Sequence, residues 1–225
     1  MVQIFKAVKT ARVASLSALK RLSFPHTERS YELVMSVPLT YLTVEEYLKA
    51  EESSEIRHEY IAGQVFAMSG SSKEHNRISL NIASILSSHL RGSSCSVYMS
   101  DMKVRIQSTN KTKSADLFYY PDVVVTCNPQ DQDRFFVNYP CLIIEVLSPS
   151  TEAIDKREKR INYQALDSLQ EYMLVSQDQI QVEIYRKDAQ GNWSVQTLDK
   201  GDDLQLKSVS LTLTMTEIYE DVITV

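Results

Sequence analysis

The stretch from Tyr120 to Val175 decides the predicted fold. It contains four segments: YPDVVVT at 120–126, PCLIIEVLSPST at 140–151, EAIDKREKRINYQAL at 152–166 and LQEYMLV at 169–175. Short, continuous apolar runs that are rich in β-branched residues predict strands covered on both faces. The third segment has helical spacing, so the stretch predicts two strands, a helix and a further buried strand.

Two carboxylates interrupt these apolar runs. Asp122 stands at the start of the first strand, and Glu145 lies inside the second. An isolated carboxylate in a dry interior costs several kcal/mol, so Glu145 needs a cation, a metal ion or hydrogen-bond donors beside it. On the predicted helix, Asp155, Lys159 and Tyr163 follow one another at intervals of four and therefore line one face.

The residues alone leave two interpretations of these charges open. In the first, Asp122 makes a hydrogen bond at the strand entry, Glu145 forms a buried salt bridge to Lys159 or Arg105, and Lys159 pairs with Asp155. In the second, the carboxylates hold a hard cation, for which clustered carboxylate oxygens are suitable ligands.

Composition sets the outer limits. The chain has 225 residues, of which 43% are hydrophobic and 24% charged, as in an ordinary globular protein. No stretch approaches the roughly 20 apolar residues that span a bilayer, so we expect no membrane association. Cys95, Cys127 and Cys141 are scattered and form no CxxC pair, which predicts three reduced thiols and a cytoplasmic location. The four histidines lack the spacing of a zinc site.

Charge separates the amino terminus from the rest. The net charge is −5, but residues 1–34 carry six Lys and Arg against two Glu. The acidic remainder argues against sequence-independent nucleic-acid binding through bulk charge. We interpret residues 1–38 as a basic, dispensable extension and 39–225 as a single domain. A transit peptide, a surface helix, a poorly ordered tail or a natural start at Met35 are alternatives for the extension.

The rest of the chain supplies ordinary elements. Thr43 to Glu46 form a capping box that opens a short helix. Ala62-Gly63 predicts a hairpin turn, with Glu59 in the strand before it. Ser72 caps a helix that runs to Leu90 and has His75 in its first turn. Residues 96–106 alternate as one strand, and residues 190–192 form a second hairpin turn.

The inner order is therefore helix, three strands, helix, strand: Ser72–Leu90, Ser96–Ile106, Asp122–Thr126, Cys141–Leu147, Asp155–Leu166 and Glu171–Val175. This αβββαβ order, with Pro121-Asp122 and Glu145 on successive strands, resembles the PD-(D/E)XK nuclease superfamily. The runs YYPDVVV, LIIEVLSPST, D-x-x-x-K-x-x-x-Y and EYMLV, with EEYL and RHEYIAG upstream, are similar to the Uma family of predicted restriction endonucleases. The likeness covers roughly Leu39 to Val195.

The resemblance implies a fold and a site. The fold would be the restriction endonuclease-like α/β (α+β) core, a central mixed sheet flanked by helices, with additional hairpins. Asp122 and Glu145 would be ligands of Mg²⁺, for which Mn²⁺ can substitute. The superfamily places a lysine two residues after the glutamate, where this chain has Leu147, so we expect Lys159 to act as a relocated lysine. Glu59 and His75 are candidates for accessory residues.

The function implied is a Mg²⁺-dependent endonuclease that hydrolyses phosphodiester bonds of DNA. Leu147 and the acidic composition keep an alternative open, in which a catalytically inactive nuclease fold serves as a DNA-binding or protein-interaction module. A third interpretation is an assembly protein in which the Glu145–Lys159 pair is structural. DNA is the expected partner, and a homodimer is the expected assembly.

Overall fold

The computed structural model describes residues 41–110, 113–149 and 151–222. For residues 108–110 and 113–115 it describes the backbone alone. The predicted extension, 1–38, lies outside these residues. The backbone forms two compact units, one up to Met68 and one from Ser69 onward. The predicted single domain stays a prediction. No helix in the described ranges is long and apolar enough to cross a bilayer.

The first unit holds one helix and one hairpin. Helix α1 spans Val44–Glu51, and strands β1, His58–Ile61, and β2, Gln64–Ala67, pair antiparallel. The predicted capping box is confirmed, because the Thr43 hydroxyl accepts from the Glu46 amide while the Glu46 carboxylate accepts from the Thr43 amide. The predicted turn is confirmed too, with positive φ angles of 49° at Ala62 and 98° at Gly63.

The second unit contains the remaining elements. In chain order they are α2 Lys73–His89, β3 Ser96–Met99, β4 Lys103–Asn110, β5 Lys113–Tyr119, β6 Val123–Thr126, β7 Phe136–Val137 and β8 Pro140–Leu147. There follow the helical segment α3 (Glu152–Ile154, Asp155–Lys159 and Arg160–Gln164), β9 Glu171–Ser176, β10 Gln181–Lys187, β11 Trp193–Asp199, β12 Asp203–Leu206, β13 Leu211–Thr214 and α4 Met215–Ile218.

A six-stranded mixed sheet organises this unit, in the order β11-β10-β9-β8-β6-β3. Strand β8 pairs parallel with β9 and antiparallel with β6, so it lies inside the sheet with every residue buried. This arrangement confirms the predicted central mixed sheet and explains the continuous apolar run of β8, because a strand covered on both faces needs apolar side chains on both.

Helix α2 covers one face of the sheet. Its apolar positions Ile78, Ile82 and Leu86 are fully buried in one cluster with alternate residues of β6 and β8, including Val123 and Ile144. Ser72 caps this helix as predicted, since its hydroxyl accepts from the His75 amide at 3.1 Å. Because side chains alternate along a strand, the residues between these core positions face the other side, where α3 lies.

Residues 96–106 do not form the single strand that their alternation predicts. The chain breaks at Ser100, whose φ is +57°, and continues as β4 in a different sheet, where it pairs with β5 and β7. Strand β5 had no sequence signal because its amino-terminal half is polar.

Helix α3 is irregular at its centre. The five residues Asp155–Lys159 form a π-helical turn, between a short α-helical turn at Glu152–Ile154 and the α-helical turns of Arg160–Gln164. Single π turns inside α-helices are rare and occur often at functional sites. Asp155 and Lys159 are the two residues of this turn that are buried.

The cysteine prediction is wrong. Cys95 and Cys127 form a disulfide, and Cys141 is a buried free thiol. Strand β3 pairs with β6 through Ser96 and Thr126, so the next positions along both strands bring the two cysteines opposite each other. Their separation of 32 residues in the sequence concealed this contact. The disulfide removes the thiol argument for a cytoplasmic location, which stays a prediction.

A buried carboxylate fastens the carboxy-terminal segment to the sheet. Glu171, at the start of β9, is 2% exposed. It accepts from Arg186 at 3.1 Å, and from the Lys207 amide, the Ser208 amide and the Ser208 hydroxyl at 3.1, 2.9 and 2.6 Å. These bonds hold the 3₁₀ turn Lys207–Val209, which joins β12 to β13.

We predict that Glu171→Gln lowers the free energy of unfolding by about 3–5 kcal/mol, because it removes one partner of a buried ion pair and leaves the Arg186 charge uncompensated. Urea denaturation followed by circular dichroism measures the change. Glu220→Gln, at an exposed position, is the control and should stay within about 0.5 kcal/mol of the wild type. Equal stability of the two variants would contradict the role of Glu171.

Candidate active site

Asp122 and Glu145 lie across from each other on neighbouring strands. Val123 of β6 is paired with Ile144 of β8, so the next positions along the two strands are those of the two carboxylates. Asp122 Oδ2 accepts a 2.7 Å hydrogen bond from the Val146 amide, which fixes its side chain against β8. The strand-entry hydrogen bond considered for Asp122 is therefore present.

Lys159 reaches Glu145 from helix α3. Its Nζ lies 3.3 Å from Glu145 Oε1 and 3.3 Å from Asp155 Oδ1. All three side chains are almost completely buried, at 8% exposure for Lys159, 4% for Glu145 and 3% for Asp155. Both ion pairs foreseen for Lys159 are present, and they share one ammonium group. Arg105, the other partner considered for Glu145, pairs instead with Asp116 at 2.9 Å.

Buried tyrosines surround these charges. The Tyr163 hydroxyl donates to Glu145 Oε1 at 3.2 Å, and the Tyr172 hydroxyl donates to the Asp155 carbonyl oxygen at 3.1 Å. The Tyr119 ring centre lies 5.6 Å from Lys159 Nζ, within range of a cation–π interaction. Aromatic surfaces with polar tips exclude water while they supply donors, so Tyr163 orients the Glu145 carboxylate and Tyr172 holds the Asp155 backbone in a low-dielectric setting.

His75 contacts the more exposed carboxylate. At the start of α2, its Nε2 lies 3.2 Å from Asp122 Oδ2. Burial is the largest single influence on His75, and it lowers the pKa. The hydrogen bond and the negative charge of Asp122, with smaller contributions from the Val146 backbone and Asp155, together raise the pKa by more than burial lowers it. The pKa of His75 therefore lies above its ordinary value of 6.5. The structure brings this predicted accessory residue to Asp122.

Two further groups of the site, Asp155 and Tyr172, have raised pKa values. Burial raises the pKa of Asp155, and the positive charge of Lys159 partly opposes this effect. Burial also raises the pKa of the Tyr172 hydroxyl well above its ordinary value, and the charges of Glu145, Asp155 and Asp122 add to the increase. Tyr172 therefore acts as a neutral donor at any physiological pH.

The donor set suits a hard divalent cation in its chemistry. Among the described residues, both contacts of Asp122 use Oδ2, so Oδ1 remains for a cation. Within that same part of the chain, no group of three or more His, Cys, Asp and Glu is placed to hold a metal ion. Mg²⁺ is commonly held by one or two carboxylates, with water and substrate phosphate oxygens as its other ligands. Asp122 and Glu145 fit that pattern.

The remaining sequence candidates lie as follows. Leu147, at the usual lysine position, is a buried residue near the end of β8. Lys156 lies away from the site and pairs with Glu183 at 2.8 Å and Glu152 at 3.1 Å. Glu59 belongs to β1 in the first unit, and its accessory role stays a prediction.

The comparison with protein families decides the family. Residues 44–216 match the model of the Uma2 family, described as "Putative restriction endonuclease". The chain belongs to the Uma2 family. The resemblance that the sequence motifs carried is thereby confirmed.

Two Synechocystis proteins are similar to more than two thirds of this chain. An uncharacterized protein of Synechocystis sp. is 40% identical over 185 residues, which cover 82% of this chain and 94% of that protein. A second uncharacterized Synechocystis protein is 33% identical over 155 residues, covering 68% of this chain and 84% of the relative.

A solved structure confirms the fold. The crystal structure of "a putative nuclease belonging to DUF820" from Anabaena variabilis has a TM-score of 0.62 to this chain and is 18% identical. The match covers 79% of this chain and 97% of that one. At this level of identity the likeness shows the fold alone, and the Uma2 chain has the predicted restriction endonuclease-like α/β fold.

Sequence reasoning missed two residues of the constellation. The sequence predicts Asp155 only as a helix partner of Lys159, and Tyr163 only as a position on the same face. The interval of four residues that joins Asp155, Lys159 and Tyr163 was the available signal. It did not indicate burial, because the flanking residues of the segment are strongly charged.

We predict that wild-type stability relative to His75→Gln depends on pH. A raised pKa in the folded state makes protonated His75 stabilising below about pH 6.5, and this contribution is lost as the pH rises through the folded-state value. The difference in free energy of unfolding should therefore be largest below about pH 6.5 and shrink over the pH range above that value. Urea titrations of both proteins in EDTA measure it. A difference that stays constant over this range would contradict the ion pair.

Proposed function

We propose that this Uma2 protein is a Mg²⁺-dependent endonuclease that hydrolyses phosphodiester bonds of DNA. The observation that carries the proposal is the position of Lys159 Nζ, 3.3 Å from Glu145, with Asp122 on the neighbouring strand. Two carboxylates and one ammonium group thus meet at one end of a sheet in a family described as restriction endonucleases. DNA as the partner belongs to this proposal, and a homodimer stays a prediction.

The carboxylates would hold the cation. Asp122 is the more exposed, with 17% of its side chain accessible, and Glu145 lies deeper at 4%. A divalent cation bound there would polarise the phosphate and lower the pKa of a bound water. The Val146 amide and His75 keep Asp122 in place, and Tyr163 orients Glu145. These contacts are made before substrate arrives, as electrostatic preorganisation requires.

Lys159 would stabilise the charge that develops on the phosphate. An ammonium group in a site with little water interacts more strongly with charge than the same group in solution. Asp155 and Glu145 hold it by two ion pairs and limit its movement. The helix thereby supplies what the strand position of Leu147 lacks, which favours an active enzyme over an inactive module.

We predict that Asp122→Asn and Glu145→Gln weaken Mn²⁺ binding at least about tenfold, since each removes an anionic ligand of the cation. Isothermal titration calorimetry measures the affinity, and thermal denaturation checks that each variant is folded. Glu183→Gln, in strand β10 of the same sheet, is the matched control and should bind as the wild type does. Equal affinities in all four proteins would refute the proposed ligands.

We predict that Lys159→Met lowers the rate of plasmid nicking by about 10²–10³, or 2.7–4 kcal/mol, comparable with the loss of one preorganised donor. Methionine keeps most of the aliphatic stem but removes the cation that Glu145 and Asp155 share, so thermal denaturation must show that the variant is folded. Lys156→Met removes the same charge from the same helix outside the site, and should act only through a salt-dependent effect on DNA binding.

The assay is Mg²⁺-dependent nicking at matched protein and salt concentrations, with Mn²⁺ affinity measured in parallel. Equal losses in the two lysine variants would indicate a diffuse electrostatic effect and not a role for Lys159. Wild-type protein that binds the cation and DNA but cuts no substrate in a mixed DNA panel would establish the inactive binding module instead.

A further inference from the structure

All three cysteines of the chain meet at one place, away from the carboxylates of the proposed site along the same strands. Cys95 and Cys127 form a disulfide, and Cys141 Sγ lies 3.7 Å from Cys127 Sγ. The proposed nuclease chemistry does not use them. Their convergence from three separate strands gives a cluster of sulfur atoms that needs its own explanation.

Strand pairing puts Cys127 between the other two. Strand β6 lies between β3 and β8 in the sheet, and Cys127 directly follows β6. On one side, the pairing of Ser96 with Thr126 brings Cys95 opposite Cys127. On the other side, a register shift after Val125 pairs Thr126 with Pro140, and Cys141 follows Pro140. Cys127 is therefore in reach of a sulfur atom on each neighbouring strand.

We propose that Cys127 is a thiol–disulfide exchange site with two alternative partners, Cys95 and Cys141. In the exchange, the Cys141 thiolate attacks Cys127 Sγ, the Cys127–Cys141 bond forms and the Cys95–Cys127 bond breaks. The Cys95 thiolate leaves and takes up a proton, which replaces the one that Cys141 lost. One disulfide is exchanged for another, so the step needs neither an oxidant nor a reductant.

The burial of Cys141 favours the Cys95–Cys127 disulfide over the Cys127–Cys141 disulfide at neutral pH. Cys141 is 6% exposed, and burial raises the pKa of its thiol to about 11. Its Sγ also lies 3.4 Å from the Val125 carbonyl oxygen, to which the thiol donates. At neutral pH Cys141 is therefore a protonated thiol of low reactivity, and the Cys95–Cys127 disulfide is the resting form.

The exchange moves the free thiol from a buried position to a partly exposed one. Cys95 directly precedes β3, at the edge of the sheet, and is less buried than Cys141. Once released, its thiol is accessible to small-molecule thiols and disulfides such as glutathione. The cross-link moves at the same time from the β3–β6 pair to the β6–β8 pair, so the edge strand is no longer covalently tied to the sheet.

The experiment uses the full chain with Cys95→Ser and oxidised glutathione as the probe. We expect glutathione to form a mixed disulfide at Cys127, which Cys141 then resolves, so that both thiols are lost and no glutathione remains bound. Acid quenching, alkylation and disulfide mapping by mass spectrometry identify the pairs. In Cys127→Ser, which lacks the central sulfur, the Cys141 thiol should be consumed at least about tenfold more slowly.

A Cys95→Ser protein that keeps glutathione on Cys127 and a free thiol at Cys141 would overturn the proposal. Thermal denaturation shows whether each variant is folded. If Cys95→Ser does not fold, the wild type answers the question. Incubated with reduced glutathione in sealed, mildly alkaline buffer, it should yield peptides joined through Cys127 and Cys141, with Cys95 alkylated. Persistence of the Cys95–Cys127 pair alone would also overturn the proposal.

Discussion

The ammonium group of Lys159 is buried between two carboxylates, and the second unit is organised to allow this. A lone charge at this depth would lose several kcal/mol of hydration, and the mutual attraction of the groups offsets that cost only when the geometry is good. Glu145 comes from the central strand β8, while Asp155 and Lys159 come from one turn of α3. The cluster therefore requires the helix and the sheet to dock in one register.

The two faces of the sheet have different roles as a result. The face under α2 is an apolar cluster, mostly of Ile, Leu and Val, whose side chains are closely packed. The face under α3 carries charges and tyrosine hydroxyl groups, which must find their partners in fixed geometry. Asp122 and His75 lie where the two faces meet, at the end of the strands, and are the more accessible part of the site. In the proposed nuclease, a substrate phosphate would approach there while the deeper charges stay protected from water.

Much of the fold could be predicted from the sequence because its signals are local. Thr43 and Ser72 open helices by bonding amides a few residues away, and the Ala62-Gly63 turn needs only a positive φ. Long-range contacts were not predictable in this way. The break at Ser100 depends on β4 finding partners in another sheet, and nothing in the alternation of residues 96–106 marks it.

For the candidate site, the identity of the groups could be predicted from the sequence, but their burial could not. Glu145 was recognisable because a carboxylate in an apolar strand demands a partner. Lys159 followed from the family resemblance together with its interval from Asp155. The burial of Asp155 and the hydroxyl bond of Tyr163 depend on how α3 lies on the sheet, so the charged composition of the segment suggested an exposed helix instead.

The π-helical turn in α3 places a constraint on chain length. Each residue turns the chain by about 100° in an α-helix and by somewhat less in a wider π-helical turn, so adding or removing one between Asp155 and Lys159 would rotate one side chain away from the other. It would also rotate Tyr163 out of reach of Glu145. Substitutions within the turn can be tolerated at its exposed positions, such as Arg157 and Glu158. The number of residues between Asp155 and Lys159 must therefore stay the same for the site to keep its geometry.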